Sequence, residues 1–489
     1  MNYTKKVEWD EISWCLQEHE GVESAIVTME KITPEHELLI AYVVPDPHEA
    51  GEVRRACELE FDGSLKGLSL SLYEPATDLL VAQKNRTETD FLFREIFLDN
   101  VYLRHGIQLN ENACVVDVGA NIGMFAIFVA RNCPKARIIS IEPISELSQA
   151  VQANAKIHNA NITVFNCALG SEPGFTEFTY YPNNTVMSSR FPQELEDRET
   201  LRAYLTTEAD VENEILLDKL IADRMVGQRL ECAVMTLNQI VKQENIKQID
   251  LLKIDVEKAE MDVLAGIDKS LWTKIAQIVI EVHNLNGRVI KVEKMLQERG
   301  FITSCEQDIR LSKTNCFTIY GYRERGSSKS QNTDFASRHL RWSSRQSLVN
   351  ALKKSIKQFL PTHPLPNQFV LLDTMPVTSA GEIDFAQLKA IGIKQQNLVQ
   401  FCLEPRTPTE KSLANIWREL FSCSEVTLDL DFFEIGGNSL TAVRFIACVE
   451  ELFGENALSP DTLFETGKLG QLAAAIDLAR SCSKTGNLR

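Results

Sequence analysis

The chain has 489 residues, a hydrophobic content of 44% and a formal net charge of −17 at pH 7. This length predicts about three globular domains, and the acidic balance argues against nucleic acid or an anionic membrane as a partner, because both require a basic surface. Neither an apolar signal-peptide core nor an apolar run of about 18 residues occurs, so we expect no membrane segment and a cytoplasmic location. The 12 cysteines form no C-x-x-C pair, which argues against a zinc or redox motif, and we expect no metal.

The N-terminal region, residues 1–50, predicts a helix followed by two strands. Apolar residues recur at helical spacing over 7–19, and runs rich in Val and Ile follow over 23–31 and 37–46. Prolines at the end of the second run mark the exit from that strand.

Residues 51–325 alternate apolar strands with helices. Helices are predicted between the strands, for example over 123–133 and 147–158. The predicted strands are 113–119, 136–143, 161–170, 249–256 and 276–284. Near-continuous apolar strands separated by helices are typical of a parallel sheet covered on both faces, so the predicted fold class is α/β with a doubly wound sheet.

The C-terminal part of the chain divides at a linker. Residues 326–346 are polar and rich in Ser, which is typical of a linker. Residues 347–395 predict a helix that ends near Leu360 and a strand over 369–373. Residues 405–482 predict a small bundle of amphipathic helices.

A glycine-rich loop joins the strand at 113–119 to the next helix. Asp117, Gly119, Asn121 and Gly123 have D-x-G-x-N-x-G spacing, and such glycines let the backbone approach a ligand that faces the free N–H groups of the helix. The loop alone is equally compatible with a structural turn. Glu142 ends the next strand about 20 residues later, where an acid accepts hydrogen bonds from ribose hydroxyls; the alternative is a surface acid. Because the loop lacks the G-x-G-x-x-G pattern, we expect a ligand with a ribose but no pyrophosphate.

Four segments together resemble the FkbM-type methyltransferases. They are DVGANIGMFAIF (117–128), the IEP that follows, NCALG (166–170) and LLKIDVEKAEMDVL (251–264). The resemblance covers about residues 55–322. It implies a class I, Rossmann-like methyltransferase fold that uses S-adenosylmethionine and usually transfers the methyl group to oxygen. Lys258 departs from the family, which usually has glycine at this position.

The resemblance also implies which residues hold the cofactor. Glu142 would hold the ribose and Ala168 would contact adenine, while Asp117, Gly119 and Asn121 would line the methionine part. The complete predicted cofactor-binding set is Asp117, Gly119, Ala120, Asn121, Gly123, Glu142 and Ala168.

Two polar clusters follow predicted strands at the edge where doubly wound sheets bind ligands. Asp255 and Glu257 follow one strand, and Glu281 and His283 end another, two residues apart and therefore on the same face. A histidine near its natural pKa suits removal of a proton from a hydroxyl, so we predict His283 as the general base, with the three carboxylates orienting it or the acceptor. A strand-end histidine satisfied by a backbone carbonyl is the structural alternative. Lys253 is expected to be an orienting or structural cation.

The segment DFFEIGGNSL (431–440) resembles the signature of phosphopantetheine carrier domains. The resemblance implies that residues 405–482 form a four-helix-bundle carrier and that a phosphopantetheinyl transferase attaches 4′-phosphopantetheine to Ser439. A helix N-terminus is a favourable place for a phosphodiester. The alternative is that Ser439 is only an N-cap residue.

Residues 1–50 and 347–395 resemble two parts of the C-terminal subdomain of adenylation domains in nonribosomal peptide synthetases. The resemblance implies that the methyltransferase is inserted between the two parts of a small, split α+β subdomain. Glu382 lies where adenylation domains have a catalytic lysine, and a carboxylate cannot stabilise an acyl-adenylate as an ammonium does. We therefore expect no adenylation by this chain alone. A chain that begins inside a subdomain favours excision from, or origin in, a larger polypeptide.

The leading hypothesis is O-methylation of a hydroxyl on an acyl or aminoacyl group carried as a thioester by the arm on Ser439. The expected partners are this tethered substrate, the upstream and downstream modules of a peptide or polyketide synthetase, and a phosphopantetheinyl transferase. Two alternatives stay open: transfer to nitrogen or carbon, and an inactive methyltransferase that serves as a structural spacer. The presence of Asp117, Gly119, Asn121 and Glu142 argues against the spacer.

Overall fold

The computed structural model describes residues 3–33, 36–207, 214–308, 314–324, 341–396 and 405–486, except 422, 424–425, 429, 434, 436 and 438. The helices are α1 (Tyr3–Gln17), α2 (Gly51–Phe61), α3 (Arg86–Phe93), α4 (Met124–Asn132), α5 (Ser145–Ile157), α6 (Glu194–Thr207), α7 (Glu214–Arg224), α8 (Leu237–Gln243), α9 (Glu260–Ala265), α10 (Lys269–Trp272), α11 (Arg288–Glu298), α12 (Arg345–Phe359), α13 (Phe385–Gln396), α14 (Pro408–Phe421), α15 (Ser439–Phe453), α16 (Pro460–Thr466) and α17 (Leu469–Gly486). Among these described helices, none combines the length and the apolar character that a bilayer crossing requires.

The strands are β1 (Val22–Thr33), β2 (His36–Pro45), β3 (Ser71–Ala76), β4 (Leu79–Gln83), β5 (Cys114–Val118), β6 (Arg137–Ile141), β7 (Ile162–Phe165), β8 (Ala168–Leu169), β9 (Gly174–Tyr180), β10 (Gln228–Met235), β11 (Leu251–Ile254), β12 (Gln277–His283), β13 (Ile302–Glu306), β14 (Cys316–Tyr322) and β15 (Gln368–Leu371). Seven of them form the central sheet, in the order β7-β6-β5-β11-β12-β14-β13. Strands β5, β6, β7, β11 and β12 are parallel, and β14 is antiparallel to both β12 and β13. The strand order reverses between β5 and β11, which is the switch point of a doubly wound sheet. The predicted α/β, Rossmann-like fold class is confirmed.

Apolar strands explain why helices cover both faces of this sheet. Val116, Ile139, Ile254 and Ile280 are fully buried, as expected for parallel strands between two helical layers. One layer contains α4 and α5, and the other contains α8, α9 and α11. In such a sheet, ligands bind beyond the carboxyl ends of the strands at the switch point, here β5 and β11.

One predicted strand, 161–170, divides in the structure. It forms β7 in the central sheet and β8 in a separate sheet, where β10 pairs with both β8 and β9. Asn166 lies at the break, and its side-chain amide donates to the backbone oxygens of Glu142 and Pro143, at 3.0 Å each. The apolar run therefore continues in sequence while the chain turns away from the sheet.

A second subdomain, the terminal subdomain, combines α1, β1 and β2 with α12, β15 and α13, which follow the central domain and precede the last four helices. Strands β1 and β2 are antiparallel, and β15 adds to β2 in parallel. The N–H of Leu39 donates to Oδ1 of Asn367, 328 residues later, at 2.9 Å. Residues 325–340, which hold most of the predicted linker, lie outside the described residues. Helix α12 begins at Arg345 with Ser344 as its N-cap, so it begins just before the predicted end of that linker.

Helix α2 contributes to two cores. Val53 and Cys57 pack with the terminal subdomain, while Ala56 and Leu59 pack with the central domain. The predicted boundary after residue 50 thus falls at the start of a helix that both domains share.

The last four helices, α14 to α17, pack around Trp417, Phe432 and Phe445, which are fully buried. The ring of Trp417 lies edge-to-face at 5.7 Å from that of Phe432 and 6.0 Å from that of Phe445. The predicted four-helix bundle is confirmed. Its apolar core continues into Leu217 and Ile221 of α7, so the bundle packs against the central domain.

Replacing Leu388 of α13 tests the apolar core that the two parts of the terminal subdomain form together. Leu388 is buried with Ile40 and Val370, so Leu388→Ala should lower the free energy of unfolding of the terminal subdomain by about 2–5 kcal/mol. Val377 is 58% exposed and supplies the control, since Val377→Ala should change this energy by less than about 0.5 kcal/mol. Denaturant titration measures both variants, and equal stabilities would contradict the packing described here.

Candidate active site

The cofactor loop follows β5 and passes close to the loop after β11. Gly119 has a φ of 78°, and a Cβ there would lie 1.7 Å from the backbone oxygen of Asp255. Only glycine fits such an approach. The N–H groups of Gly119 and Ala120 donate to the carbonyl of Ile141, at 2.9 and 3.1 Å, which fixes the loop to the end of β6. Gly123, with a φ of 84°, then starts α4.

Glu142 faces this loop from the end of β6. One of its oxygens accepts from the N–H of Asn121 at 2.8 Å, and the other accepts from the N–H of Ile144 at 3.0 Å. Burial raises the pKa of Glu142 to about 7 despite these hydrogen bonds. Each oxygen keeps a second lone pair, so the carboxylate can also accept from the two hydroxyls of a ribose.

A polar chain connects α3 to the cofactor loop. Asn121 donates from Nδ2 to Oγ1 of Thr185 at 2.9 Å, and the N–H and hydroxyl of Thr185 donate to the two oxygens of Glu88, at 2.8 and 2.6 Å. Burial raises the pKa of Glu88 to about 7. The contact between Glu88 and Thr185 could not be predicted from the sequence, because the two residues are 97 positions apart and belong to no local motif.

The ammonium of Lys253 joins the cofactor loop to the strand ends. Its Nζ lies 2.9 Å from the backbone oxygen of Gly119, 3.1 Å from Oδ1 of Asp117 and 3.4 Å from Oδ2 of Asp255. Burial alone would lower the pKa of Lys253, but the two carboxylates outweigh this effect and raise the pKa above its ordinary value. Lys253 is therefore a buried, protonated cation that orients the residues around it.

Asp255, Glu257 and Glu281 converge beside the loop. One carboxylate oxygen of each lies within 4.8 Å of the others, and Asp255 accepts from the hydroxyl of Tyr102 at 3.0 Å. Burial, followed by the charges of Asp255 and Glu257, raises the pKa of Glu281 well above its ordinary value. Such a carboxyl is suited to exchange a proton with a bound group. An oxygen cluster of this kind could also accept a divalent cation, and the absence of a metal remains an expectation.

His283 lies in the same cluster, with both ring nitrogens engaged by carboxylates. Its Nδ1 is 2.8 Å from Oε1 of Glu260, and its Nε2 is 3.2 Å from Oε2 of Glu257. Burial alone would lower the pKa of His283, but these carboxylates outweigh it and raise the pKa well above its ordinary value. An imidazolium donates from both nitrogens and has no lone pair with which to accept a proton. This geometry disfavours the predicted general-base role and favours a positioning role.

Lys258 lies where the resemblance leads one to expect glycine. Its φ of 73° is in the left-handed region, which explains a preference for glycine at this turn. Its ammonium pairs with the carboxylate of Asp197 in α6, and both side chains are buried. The backbone oxygen of Lys258 accepts from Arg288 at 2.9 Å. The lysine therefore anchors α6, which contributes Leu201 to the wall of the site, at the ends of the strands.

One pocket collects most of the predicted site residues. Its lining includes Gly119, Ala120, Asn121, Glu142, Ala168, Asp255, Glu257, Glu281 and His283. Asp117 and Gly123 lie behind the lining, where the Asp117 carboxylate holds Lys253. Ser439 begins α15 in the helical bundle. Polar residues that also line the pocket but were not predicted as site residues include Glu88, Tyr102 and Thr185.

One observation supports S-adenosylmethionine as the ligand of this pocket. Glu142 lies in the lining and retains acceptor capacity for ribose hydroxyls beside its two backbone hydrogen bonds. A glycine loop and a buried acid at the ends of adjacent strands of a doubly wound sheet are an arrangement that suits a ribose-containing cofactor.

Comparison with known proteins gives the family. Residues 117–303 match the model of the methyltransferase FkbM domain, and residues 411–476 match that of the phosphopantetheine attachment site. The 31-O-demethyl-FK506 methyltransferase FkbM of Streptomyces tacrolimicus is 36% identical over 252 residues, which cover 50% of this chain and 94% of that protein. The chain therefore belongs, through its central domain, to the FkbM methyltransferase family. The two matched domains confirm S-adenosylmethionine and 4′-phosphopantetheine as the cofactors.

Two larger proteins are also similar to this chain over part of their length. The AMB antimetabolite synthetase AmbE of Pseudomonas aeruginosa is 29% identical over 465 residues, which cover 91% of this chain but only 21% of that protein. A linear gramicidin synthase polypeptide of Brevibacillus parabrevis is 37% identical over 109 residues, which cover 22% of this chain and 1% of that protein. The chain thus spans about a fifth of the length of AmbE.

Cofactor affinity should depend on pH through Glu142. Because its pKa is about 7, the carboxylate that accepts from ribose is present above this pH and is lost as the pH falls. S-adenosylmethionine affinity should therefore weaken by up to about tenfold per pH unit below 7. Calorimetric titration between pH 5.5 and about 8.5 measures this. Glu142→Gln should bind weakly at every pH, and if it kept the dependence, another group such as Glu88 would be its source.

Proposed function

We propose that the chain methylates a hydroxyl on an acyl or aminoacyl group carried as a thioester by phosphopantetheine on Ser439. The observation that carries this proposal is the single pocket in which the cofactor loop, Glu142 and a cluster of three carboxylates meet, in a chain that also has a carrier domain. The name of the Streptomyces relative specifies methyl transfer at oxygen. That relationship supports oxygen as the acceptor here.

The same proposal extends to the protein's setting. Relatives that match beyond the methyltransferase are named as a synthetase and a synthase, and the carrier domain implies a tethered substrate and neighbouring synthetase modules. A phosphopantetheinyl transferase is needed to modify Ser439. We infer that the chain acts within a nonribosomal peptide or hybrid assembly line.

The terminal subdomain supports an insertion of the methyltransferase between its two parts. Residues 1–50 and 347–395 are proposed to be the two parts of an adenylation C-terminal subdomain, since β15 pairs with β2 in one sheet and α12 packs on α1. Glu382, where that subdomain would have a catalytic lysine, is exposed on a turn. The subdomain then serves as a platform between the methyltransferase and the carrier.

The acid cluster supplies the proton transfer. When bound, S-adenosylmethionine supplies an electrophilic methyl group on a sulfonium centre. Glu281 in its ionised form takes the proton of the acceptor hydroxyl, because burial and the charges of Asp255 and Glu257 raise its pKa and so its affinity for a proton. Asp255 lies 3.4 Å from the ammonium of Lys253, and Glu257 lies 3.2 Å from Nε2 of His283, so each of these two carboxylates pairs with a basic side chain. The proposed base is therefore a carboxylate, with His283 as a positioning residue.

Loss of the Ser439 hydroxyl should abolish tethered methylation. The chain is first treated with a phosphopantetheinyl transferase and hydroxyacyl-coenzyme A, and then with S-adenosylmethionine. Intact mass spectrometry should show one added acyl-phosphopantetheine and then a gain of one methylene mass, and neither should occur in Ser439→Ala. Parallel loading with an aminoacyl group separates oxygen from nitrogen as acceptor. Cofactor binding without any mass gain would favour the inactive spacer.

Glu281→Gln should slow methyl transfer by about 10²–10⁴-fold, the range for loss of a general base. The rate of the unmodified chain should rise with pH as the carboxyl of Glu281, whose pKa is raised, loses its proton. The affinity for S-adenosylmethionine should stay unchanged, since Glu142 is intact. Single-turnover assays with and without a chelator measure the rate. Near-normal turnover by Glu281→Gln would remove Glu281 from the mechanism, and a matched His283→Asn variant should slow the reaction less.

A further inference from the structure

The carrier bundle is seated on the methyltransferase at an apolar surface. Helices α15 and α16 contact α7, and α16 also contacts α3. The apolar side chains on this surface are Leu217 and Ile221 of α7 and Met225, which directly follows α7. They are 2%, 2% and 8% exposed, and they share one apolar cluster with the core of the bundle. Water is therefore excluded between the two domains, which is the usual source of affinity in a stable interface.

Arg86 and Asp431 supply a polar contact at the same surface. Nη1 of Arg86 lies 2.7 Å from Oδ1 of Asp431, and the two side chains are 24% and 5% exposed. The methyltransferase holds this arginine, whose guanidinium lies 4.7 Å above the ring of Tyr73, while the hydroxyl of Tyr73 donates to Asp90 at 2.7 Å. The bundle holds the aspartate, because the N–H of Phe433 donates to Oδ1 of Asp431 at 2.9 Å.

The elements that hold the bundle also line the active-site pocket. Arg86 of α3 contacts the bundle, while Glu88, two residues later, lines the pocket. Ile221 of α7 contributes to the shared apolar cluster, while Arg224 lines the pocket. Asp431 is the first residue of the segment DFFEIGGNSL that ends next to the modified serine. The ion pair therefore connects the start of this segment to α3, a helix that lines the pocket.

We propose that Arg86, Leu217, Ile221 and Met225 form the docking surface by which the methyltransferase holds the carrier domain of its own chain during delivery of the tethered acyl group. The inference rests on the proposed function, which it deepens by assigning the surface on which the carrier sits. Docking gives the tethered group a high effective concentration at the pocket. Reversing the charge of one partner in a largely buried ion pair weakens the interface, because the other charge then stays buried and unpaired.

The test compares Arg86→Glu with Arg86→Lys and with a control. Arg229→Glu makes the same charge change at an arginine of β10 that is 77% exposed and pairs with Glu177. Single-turnover methylation of the hydroxyacyl group on Ser439 is measured beside turnover of the same group on free pantetheine. Arg86→Glu should slow the tethered reaction by about tenfold or more, with the free reaction and the cofactor affinity unchanged. Arg86→Lys should retain most of the tethered rate, and Arg229→Glu all of it.

A tethered rate unaffected by Arg86→Glu would overturn the proposal. So would a parallel loss of the free reaction, because Arg86 would then act on the pocket. Hydrogen exchange of the unmodified chain provides a readout that needs no activity. The amides of α7 should be protected in the unaltered protein and exchange faster in Arg86→Glu, and equal protection would also contradict docking. If the unaltered chain methylates neither substrate but shows this difference in exchange, the proposed function fails and the docking surface stands.

Discussion

The active site depends on one buried ion pair between neighbouring strands. Lys253 of β11 and Asp117 of β5 are opposite each other in the register, and the ammonium also reaches the backbone oxygen of Gly119 and the carboxylate of Asp255. A charge this deeply buried is tolerated only when its partners are fixed. The same contacts therefore fix the cofactor loop on one side of Lys253 and the acid cluster on the other. The cofactor site and the proton-transfer site thus depend on one lysine side chain.

The three carboxylates near this ion pair differ in their charged neighbours. Asp255 has Lys253 beside it, and Glu257 has the imidazolium of His283. Glu281 lies between these anions, and burial together with their charges raises its pKa. Neighbouring carboxyls in different surroundings can divide the roles of orienting an acceptor and taking its proton. Lys253 and His283 thus act here as ion-pair partners of Asp255 and Glu257, and Glu281 is left as the carboxyl that exchanges the proton.

The sequence predicts those parts of the site that local spacing encodes. Gly119 and Glu142 could be located because a tight turn and a strand end each leave a short pattern, and β5, β6, β11 and β12 are readable as apolar runs. Glu88 could not be linked to Thr185, since only the tertiary fold joins them. His283 lies in the pocket lining, but the carboxylates that raise its pKa, Glu257 and Glu260 of α9, are brought to it only by the fold. The strand β13 was missed because its residues are partly exposed at the sheet edge, and β14 was missed because Thr318 and Gly321 interrupt its apolar residues.

The first turn of α3 connects the cofactor loop to the carrier domain. Asn85 caps this helix by accepting from the N–H of Glu88. Within this turn, Glu88 holds Thr185, which in turn holds the loop, while Arg86 holds Asp431 of the bundle. Residues two apart on a helix do not face each other, so Arg86 and Glu88 make their contacts on different sides of the same turn. Loss of the contact between Arg86 and the bundle therefore leaves the contact between Glu88 and Thr185 in place, and one substitution at Arg86 separates carrier docking from cofactor binding.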